Sequence, residues 1–287
     1  MTSAGIAMEK RGPLALVTMR RPERKNVFNQ AMFEQLASIA GSLRQDPELR
    51  AVVIAGAGPD AFSAGFDVNP DNPMVAKMAG AMERGDTEPI ARSIETLRAA
   101  VDGFVTLPVP VIAAINGQAF GGGAELAVRC DLRVMDPGAE ICFSEVTLGL
   151  IPDWGGGATL THLVGAAVAA DLILTARRVS ADEALRLGLV NRISPPGQAL
   201  EAALEIAGAI MGNGPRAVRS ALKVIRNGRD LSLEATLALE KKTAVELIAS
   251  GECLHGIGAF LNGQVPDFPD AHREDSAGPS LSDFVSF

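Results

Sequence analysis

Residues 120–132 read FGGGAELAVRCDL, a run of three glycines that leads into a helical pattern with Glu125 on its first turn. Glycine costs about 1 kcal/mol per residue inside a helix relative to alanine, so this run indicates that bare backbone is needed there. The first amides of a helix have no partner within the helix and carry the positive end of its dipole. Without side chains in the way, they can hold a ligand oxyanion. The alternative is tight packing of this helix on a strand.

Strands and helices alternate on both sides of this stretch. Short apolar runs predict strands at 14–19, 51–56, 109–116 and 132–136, and helical spacing predicts helices at 30–43 and 159–174. The alternation predicts an α/β core with mostly parallel strands over residues 1–198. We expect a surface loop over 68–89 that contains one helix at 75–84.

The last third of the chain has a different pattern. Residues 199–211, 215–226 and 231–249 all have helical periods broken by glycine-containing turns. We therefore expect a C-terminal helical region over 199–268. The polar, breaker-rich residues 269–287 predict a flexible tail.

Composition excludes several classes of protein. The 287 residues carry 26 basic and 34 acidic side chains, a net charge of −8, and this balance argues against nucleic acid as the principal partner. Three cysteines and three histidines without ligand spacing predict neither disulfides nor a metal site. No signal peptide and no run of about 18 apolar residues is present, which predicts a cytoplasmic protein without membrane segments.

Two glycine motifs resemble signatures of other enzyme classes, but the residues around them do not fit those classes. GAGPDA at 56–61 resembles the dinucleotide fingerprint of NAD-dependent dehydrogenases, but a proline-rich loop follows it instead of the required helix. AFSAG at 61–65 resembles a nucleophile elbow around Ser63, yet it lacks the first glycine and the flanking strand and helix. An ordinary turn is the favoured interpretation of the first motif, and we do not expect Ser63 to be a nucleophile.

Two more acids follow Glu125 in a glycine-rich setting. Glu145 lies 20 residues downstream, where a strand should end, and Asp153 lies eight residues further on, beside Trp154 and another glycine triplet. A single acid at a strand end is usually solvated. Three acids that converge in an apolar neighbourhood indicate proton-transfer chemistry.

Five motifs in order carry a family resemblance: RPERKNVFN (21–29), AFSAGFDV (61–68), INGQAFGGGAELAVRCDLRV (115–134), FSEVTLGLIPDWGGGATL (143–160) and LTARRVSADEALRLGLVNRI (174–193). Over about residues 6–268 the chain resembles the enoyl-CoA hydratase/isomerase, or crotonase, superfamily. The resemblance implies an α/β fold, a spiral of ββα units with a C-terminal helical trimerisation region, and a homotrimer or a dimer of trimers. It also implies an acyl-CoA thioester substrate, of which coenzyme A is a part, and no separate cofactor.

The resemblance also implies roles for single residues. The backbone amides of Ala64 and Gly122 would form an oxyanion hole for the thioester carbonyl. Glu125 would deprotonate a water that attacks C3 of a 2-enoyl-CoA, and Glu145 would supply the proton at C2. The residues implied in binding the substrate and its coenzyme A portion are Arg24, Lys25, Ala64, Gly65, Phe66, Asp67, Gly121 and Gly122.

Departures from the family pattern leave alternatives open. Asp153 stands where typical hydratases have glycine, and an acid occurs there in members that shift double bonds, so an enoyl-CoA or dienoyl-CoA isomerase using Asp153 with Glu145 is the second hypothesis. A non-catalytic acyl-CoA binding protein is the third. Phe66 replaces a usual small residue, and residues 262–264 lack the charged triplet of the family, so a lysine contact to the CoA phosphate is expected to be absent. The acyl chain and the pathway, fatty acid metabolism among them, stay undetermined.

Overall fold

The computed structural model describes residues 5–269. The predicted flexible tail at 269–287 lies, except for its first residue, outside the described residues. In chain order the strands are β1 (Gly5–Arg11), β2 (Leu14–Arg20), β3 (Ala51–Gly56), β4 (Ala61–Ser63), β5 (Val111–Ile115), β6 (Gln118–Phe120), β7 (Leu132–Met135), β8 (Glu140–Cys142), β9 (Val179–Ser180) and β10 (Arg192–Ile193).

The helices complete the described chain. They are α1 (Gln30–Arg44), α2 (Pro73–Glu83), α3 (Glu88–Val105), α4 (Gly122–Arg129), α5 (Gly156–Thr175), α6 (Ala181–Arg186), α7 (Ala199–Met211), α8 (Pro215–Asn227), α9 (Leu233–Ala249) and α10 (Glu252–Leu261). Helix α5 contains a break at Gly165, whose φ of 78° is not helical.

The strands form two sheets, and successive units contribute one strand to each. The six-stranded sheet has the order β1-β2-β3-β5-β7-β10 and the four-stranded sheet the order β4-β6-β8-β9. Strand pairs β3/β4, β5/β6 and β7/β8 are each followed by helix, and pairing between these units is parallel. The predicted spiral of ββα units is therefore confirmed.

Alternating side chains of the large sheet face two cores. On β3, Val52 and Ile54 belong to the main cluster, whereas Ala51, Val53 and Ala55 pack with residues of α7, as the two-residue period of a strand requires. Helix α7 thus covers one face of this sheet. The division at residue 198 follows secondary structure and does not follow packing.

Most predicted elements are present within one or two residues of their expected bounds. The one helix expected at 75–84 within the 68–89 segment is present as α2 at 73–83, and the segment ends earlier than expected because α3 begins at Glu88. Helix α10 was not expected, since its two glycines, Gly256 and Gly258, weaken the helical pattern.

Two parts of the described chain are apolar enough to be compared with membrane spans. Helix α5 is long and apolar enough to cross a membrane. Helices α9 and α10 are so only if the two, which are bent by 72° relative to each other, are counted as one span. Leu160 and Leu172 of α5 are fully buried in the main core. That the protein has no membrane segment stays a prediction.

Candidate active site

The site lies at the carboxyl edge of the four-stranded sheet. Strands β4, β6 and β8 are neighbours and parallel, so their last residues, Ser63, Phe120 and Cys142, lie side by side. The segments that leave these strands carry Gly65, Gly121 and Glu145. Parallel sheets place their ligand sites at this edge because several loops converge there.

Glu125 is buried, and its carboxylate is held by backbone amides. The side chain is 1% exposed. Its Oε1 accepts from the amide of Asp153 at 3.2 Å, and its Oε2 accepts from the amides of Trp154 and Gly156 at 2.8 Å each. These three hydrogen bonds fix the orientation of the carboxylate, and taken by themselves they favour its charged form. Oε1, with one long contact, keeps a lone pair for another partner.

Glu145 and Asp153 converge on Glu125. Glu145 begins a short 3-10 helix after β8, and both of its buried carboxyl oxygens have no hydrogen-bond partner among the described residues. Burial is the main cause that raises the pKa of Glu125, and the charges of Glu145 and Asp153 raise it further. Burial likewise raises the pKa of Glu145 and of Asp153. The three acids thus lie close enough to interact electrostatically, and their catalytic roles stay a prediction.

The two glutamates interact through proximity and charge. Their titrations are linked as those of neighbouring carboxyls are, and an interaction between the two side chains raises the pKa of Glu125 and lowers that of Glu145. Two like charges in a buried site resist simultaneous ionisation. The pair therefore favours a state with one shared proton, which suits one acid and one base.

The three glycines of 121–123 have different structural reasons. Gly121 has a φ of 52°, in the region that favours glycine. A Cβ on Gly122 would lie 2.6 Å from the ring of Trp154, and a Cβ on Gly123 would lie 2.0 Å from the carbonyl oxygen of Ser63. The packing interpretation holds for both: Gly123 permits helix–strand packing, and Gly122 makes room for the Trp154 ring. The oxyanion interpretation of the stretch stays a prediction.

The assignment of Ala64 to the oxyanion hole needs correction. The Ala64 amide donates to the carbonyl oxygen of Lys25 at 2.9 Å, so it is already bonded. The Gly65 carbonyl accepts from the Phe28 amide at 2.7 Å. Because C=O and N–H of a trans peptide point in opposite directions, the Phe66 amide points away from Phe28, and no described group accepts from it.

The Phe66 amide is the candidate donor beside Gly122 in place of the Ala64 amide. A Cβ on Gly65, which has a φ of 87°, would lie 2.6 Å from the Gly122 nitrogen, so the two backbones approach closely at this point. Sequence inspection alone could not separate the two amides, because both belong to the AFSAGFDV motif and only the tertiary partners differ.

Of the residues expected to bind coenzyme A, the basic ones are accessible and the acid is not. The Arg24 side chain is 43% exposed and lies 3.9 Å from Asp67, while the Nζ of Lys25 donates to Gln118 at 3.0 Å. The Asp67 side chain is buried and accepts from Arg21 at 2.9 Å. Asp67 therefore fixes the loop, and only Arg24 and Lys25 offer exposed cationic groups.

An open polar cavity of about 410 Å³ lies beside these residues and contains both Arg24 and Asp67 in its lining. The three acids do not line it. We place the candidate chemistry at the three acids outside the cavity, because their carboxyls are largely buried and interact electrostatically. No cluster of side chains that could hold a metal ion occurs within residues 5–269.

Asn26 and Ser63 are buried polar residues with structural roles. Asn26 donates to the carbonyls of Ala57 and Ala61 and accepts from the Arg21 amide. The Ser63 hydroxyl donates to the Asn26 carbonyl and accepts from the Gly65 amide. These hydrogen bonds hold the loop of Arg24 and Lys25 next to the segment 63–66. They agree with the expectation that Ser63 is not a nucleophile.

Paired buried carboxyls beside uncovered amides, on a spiral of ββα units, define the crotonase class of fold. The model of the family described as enoyl-CoA hydratase/isomerase matches residues 9–271. The short-chain-enoyl-CoA hydratase of Clostridium acetobutylicum is 34% identical over 89% of this chain and 94% of its own length. A putative enoyl-CoA hydratase of Thermus thermophilus is 36% identical over 92% and 100%.

The solved structures agree with the sequence relatives. The crystal structure of an enoyl-CoA hydratase from Bacillus anthracis superposes with a TM-score of 0.83, at 34% identity, over 92% of this chain and 98% of that one. The chain belongs to the enoyl-CoA hydratase/isomerase family.

Proposed function

We propose that the protein is an enoyl-CoA hydratase that adds water across the C2–C3 double bond of a 2-enoyl-CoA thioester. The observation that carries this proposal is the pair of buried, electrostatically coupled glutamates beside the amides of Gly122 and Phe66. A hydratase needs one group to take a proton from water and one to give a proton to C2, next to donors for the developing enolate oxygen.

The geometry suggests how the roles divide. The thioester oxygen would accept from the Gly122 and Phe66 amides, which are fixed by backbone packing and need no reorganisation. Glu125, oriented by three backbone amides, would take the proton from a water molecule as the water oxygen bonds to C3. Glu145, buried next to it, would deliver the proton of the pair to C2.

The first experiment follows the absorbance of the conjugated thioester. We expect purified protein to decrease this absorbance with 2-butenoyl-CoA or with longer or branched 2-enoyl-CoAs. Glu125→Gln and Glu145→Gln should each lower kcat at least about a hundredfold, the scale of acid–base catalysis, whereas the exposed Glu95 changed to Gln should have no effect. Unchanged absorbance with every substrate would reject the proposal, and acyl-CoA binding without turnover would favour the non-catalytic alternative.

An isomerase is the second candidate, because Asp153 lies close enough to raise the pKa of both glutamates. In this reaction a base takes a proton from one carbon and an acid returns it to another. Asp153→Asn should then lower isomerisation of 3-enoyl- and 3,5-dienoyl-CoA by about a hundredfold. If that variant isomerises as fast as the natural protein, or neither isomerises, this candidate is rejected.

We also propose that the chain assembles as a homotrimer or a dimer of trimers. Helices α9 and α10 support this, because Thr243 is the sole fully buried residue of α9 while large apolar side chains are exposed on both helices. Exposed apolar faces of this extent are typical of subunit contacts. The residues are Leu233, Leu237, Val245, Ile248, Ile257, Phe260 and Leu261.

A further inference from the structure

Arg129 lies one helical turn after Glu125 on α4, and its side chain is 13% exposed. Residues i and i+4 of a helix project from the same side, so Glu125 and Arg129 both reach residues 153–156, the turn at the start of α5. The Nη1 of Arg129 donates to the carbonyl oxygen of Trp154 at 2.6 Å. Its Nη2 pairs with Asp102 of α3 at 2.5 Å.

Glu125 and Arg129 hold opposite ends of the same residue. The Trp154 amide donates to Glu125, and the Trp154 carbonyl accepts from Arg129. The Arg129 guanidinium also fills the space beside Gly155, where a Cβ would lie 3.1 Å from it. Gly155 has a φ of 91°, a conformation that glycine adopts readily and that other residues rarely adopt.

The Trp154 ring packs against Gly122, so the position of this turn affects the surroundings of the Gly122 amide. It is 2% exposed, meets Phe28 and Phe33 edge-on, and occupies the space next to the Cα of Gly122. A displacement of Trp154 would therefore affect both the amides that orient Glu125 and the surroundings of the Gly122 amide.

We propose that Arg129, anchored by Asp102, is a positioning residue that clamps the Trp154 carbonyl and thereby orients the Glu125 carboxylate for proton transfer. As a statement about catalysis this rests on the proposed function. Arg129 contacts no reacting atom; it acts through the turn. Small displacements of a catalytic group cost up to about a hundredfold in rate.

The test uses Arg129→Met and Arg129→Lys in the full-length protein, with Arg226→Met as the matched control. Arg226 is also largely buried, pairs with Asp131 at 2.6 Å and donates to the Leu107 carbonyl, but it lies at the amino ends of β5 and β7. Arg129→Met should lower kcat about 10- to 100-fold with little change in KM. Arg129→Lys, which keeps one donor for the Trp154 carbonyl, should recover part of that loss.

The pH profile separates positioning from simple destabilisation. The Gly156 amide lowers the pKa of Glu125, so loss of the turn should move the acid limb of the kcat profile of Arg129→Met to higher pH. The charged groups around Glu125 are Glu145 and Asp153, and neither is altered. Arg226→Met should lose thermal stability and keep kcat and its profile. An unchanged kcat and profile in Arg129→Met, or the same changes in Arg226→Met, would overturn the proposal.

Trp154 is the single tryptophan of the chain, which gives a readout that is independent of activity. We expect its emission in Arg129→Met to shift to longer wavelength and to be quenched more by acrylamide, with no such change in Arg226→Met. If the natural protein has no hydratase activity, the proposed function fails, but the fluorescence of Trp154 still tests the contact of Arg129 with the Trp154 carbonyl. Identical emission and quenching in all variants would refute that contact.

Discussion

Glu125 and Glu145 are the same residue type in opposite environments. Three amides stabilise the charge of Glu125, whereas Glu145 is buried with two oxygens that have no partner among the described residues. A buried acid without partners favours its neutral form. Burial raises the pKa of both carboxyls, and the difference in their partners supports the proposed division into base and acid, which their sequence spacing of 20 residues could not indicate.

The environment of Glu145 predicts a pH-dependent cost in stability. Because burial raises its pKa in the folded protein, the folded state binds this proton more tightly than the unfolded chain does. Stability is therefore lost as pH rises above the ordinary glutamate value of about 4.3 towards the raised folded value. Glu145→Gln removes this cost.

We expect Glu145→Gln to increase the Tm at pH 8 by about 2–4 °C, the change produced by ~1 kcal/mol in a domain of this size. The difference should shrink towards pH 4.5. Thermal unfolding of both proteins across this pH range measures it, with Glu95→Gln as the exposed control that should show no trend. A Tm difference that is constant with pH would contradict the assignment of an uncompensated acid at 145.

Among the elements, helix α4 is fixed by close backbone approach. The glycine run predicted a helix start with uncovered amides, and the structure adds that Gly123 packs against the Ser63 carbonyl of β4. A backbone atom cannot move aside as a flexible side chain can. This packing sets the position of α4, and therefore of Glu125, relative to residues 64–66 that follow β4.

Gly123→Ala should therefore lower stability by about 1–3 kcal/mol, the usual cost of overpacking. Gly41→Ala is the matched control: Gly41 lies in α1 with nothing within 4 Å of an added Cβ, so the change should be neutral or stabilising by about 0.5–1 kcal/mol. Urea unfolding measures both. Equal stability of Gly123→Ala and the natural protein would show that α4 is not held by this contact.

Local periodicity predicted an α/β core with mostly parallel strands, and the family resemblance of the ordered motifs implied the ββα spiral and the roles of the acids. They failed at Ala64, whose amide is taken by Lys25, and they did not indicate Arg129, whose partners are a distant carbonyl and Asp102. Hydrogen-bond partners of this kind are set by tertiary approach. Helix α3 was partly hidden because its apolar face alternates with five charged residues over Glu88–Val105.

At the scale of the whole molecule, the exposed apolar side chains of α9 and α10 predict an oligomer. We expect a solution mass three or six times the 29.8 kDa of one chain, measured by light scattering after size exclusion. Ile248→Glu or Phe260→Glu, at positions 65% and 82% exposed in one chain, should shift the mass towards that of the single chain. Lys241→Glu on α9 is the control. Retention of the same mass by both apolar variants would place the contact elsewhere.

The most direct test of the account is the mass of the product formed from 2-butenoyl-CoA. Hydration adds the mass of one water, whereas movement of a double bond leaves the mass unchanged. We predict a product heavier by one water with the natural protein, and no such product in the same time with Glu145→Gln. Consumption of the substrate without any gain of mass, or an undiminished gain with Glu145→Gln, would contradict a hydratase that works through the two glutamates.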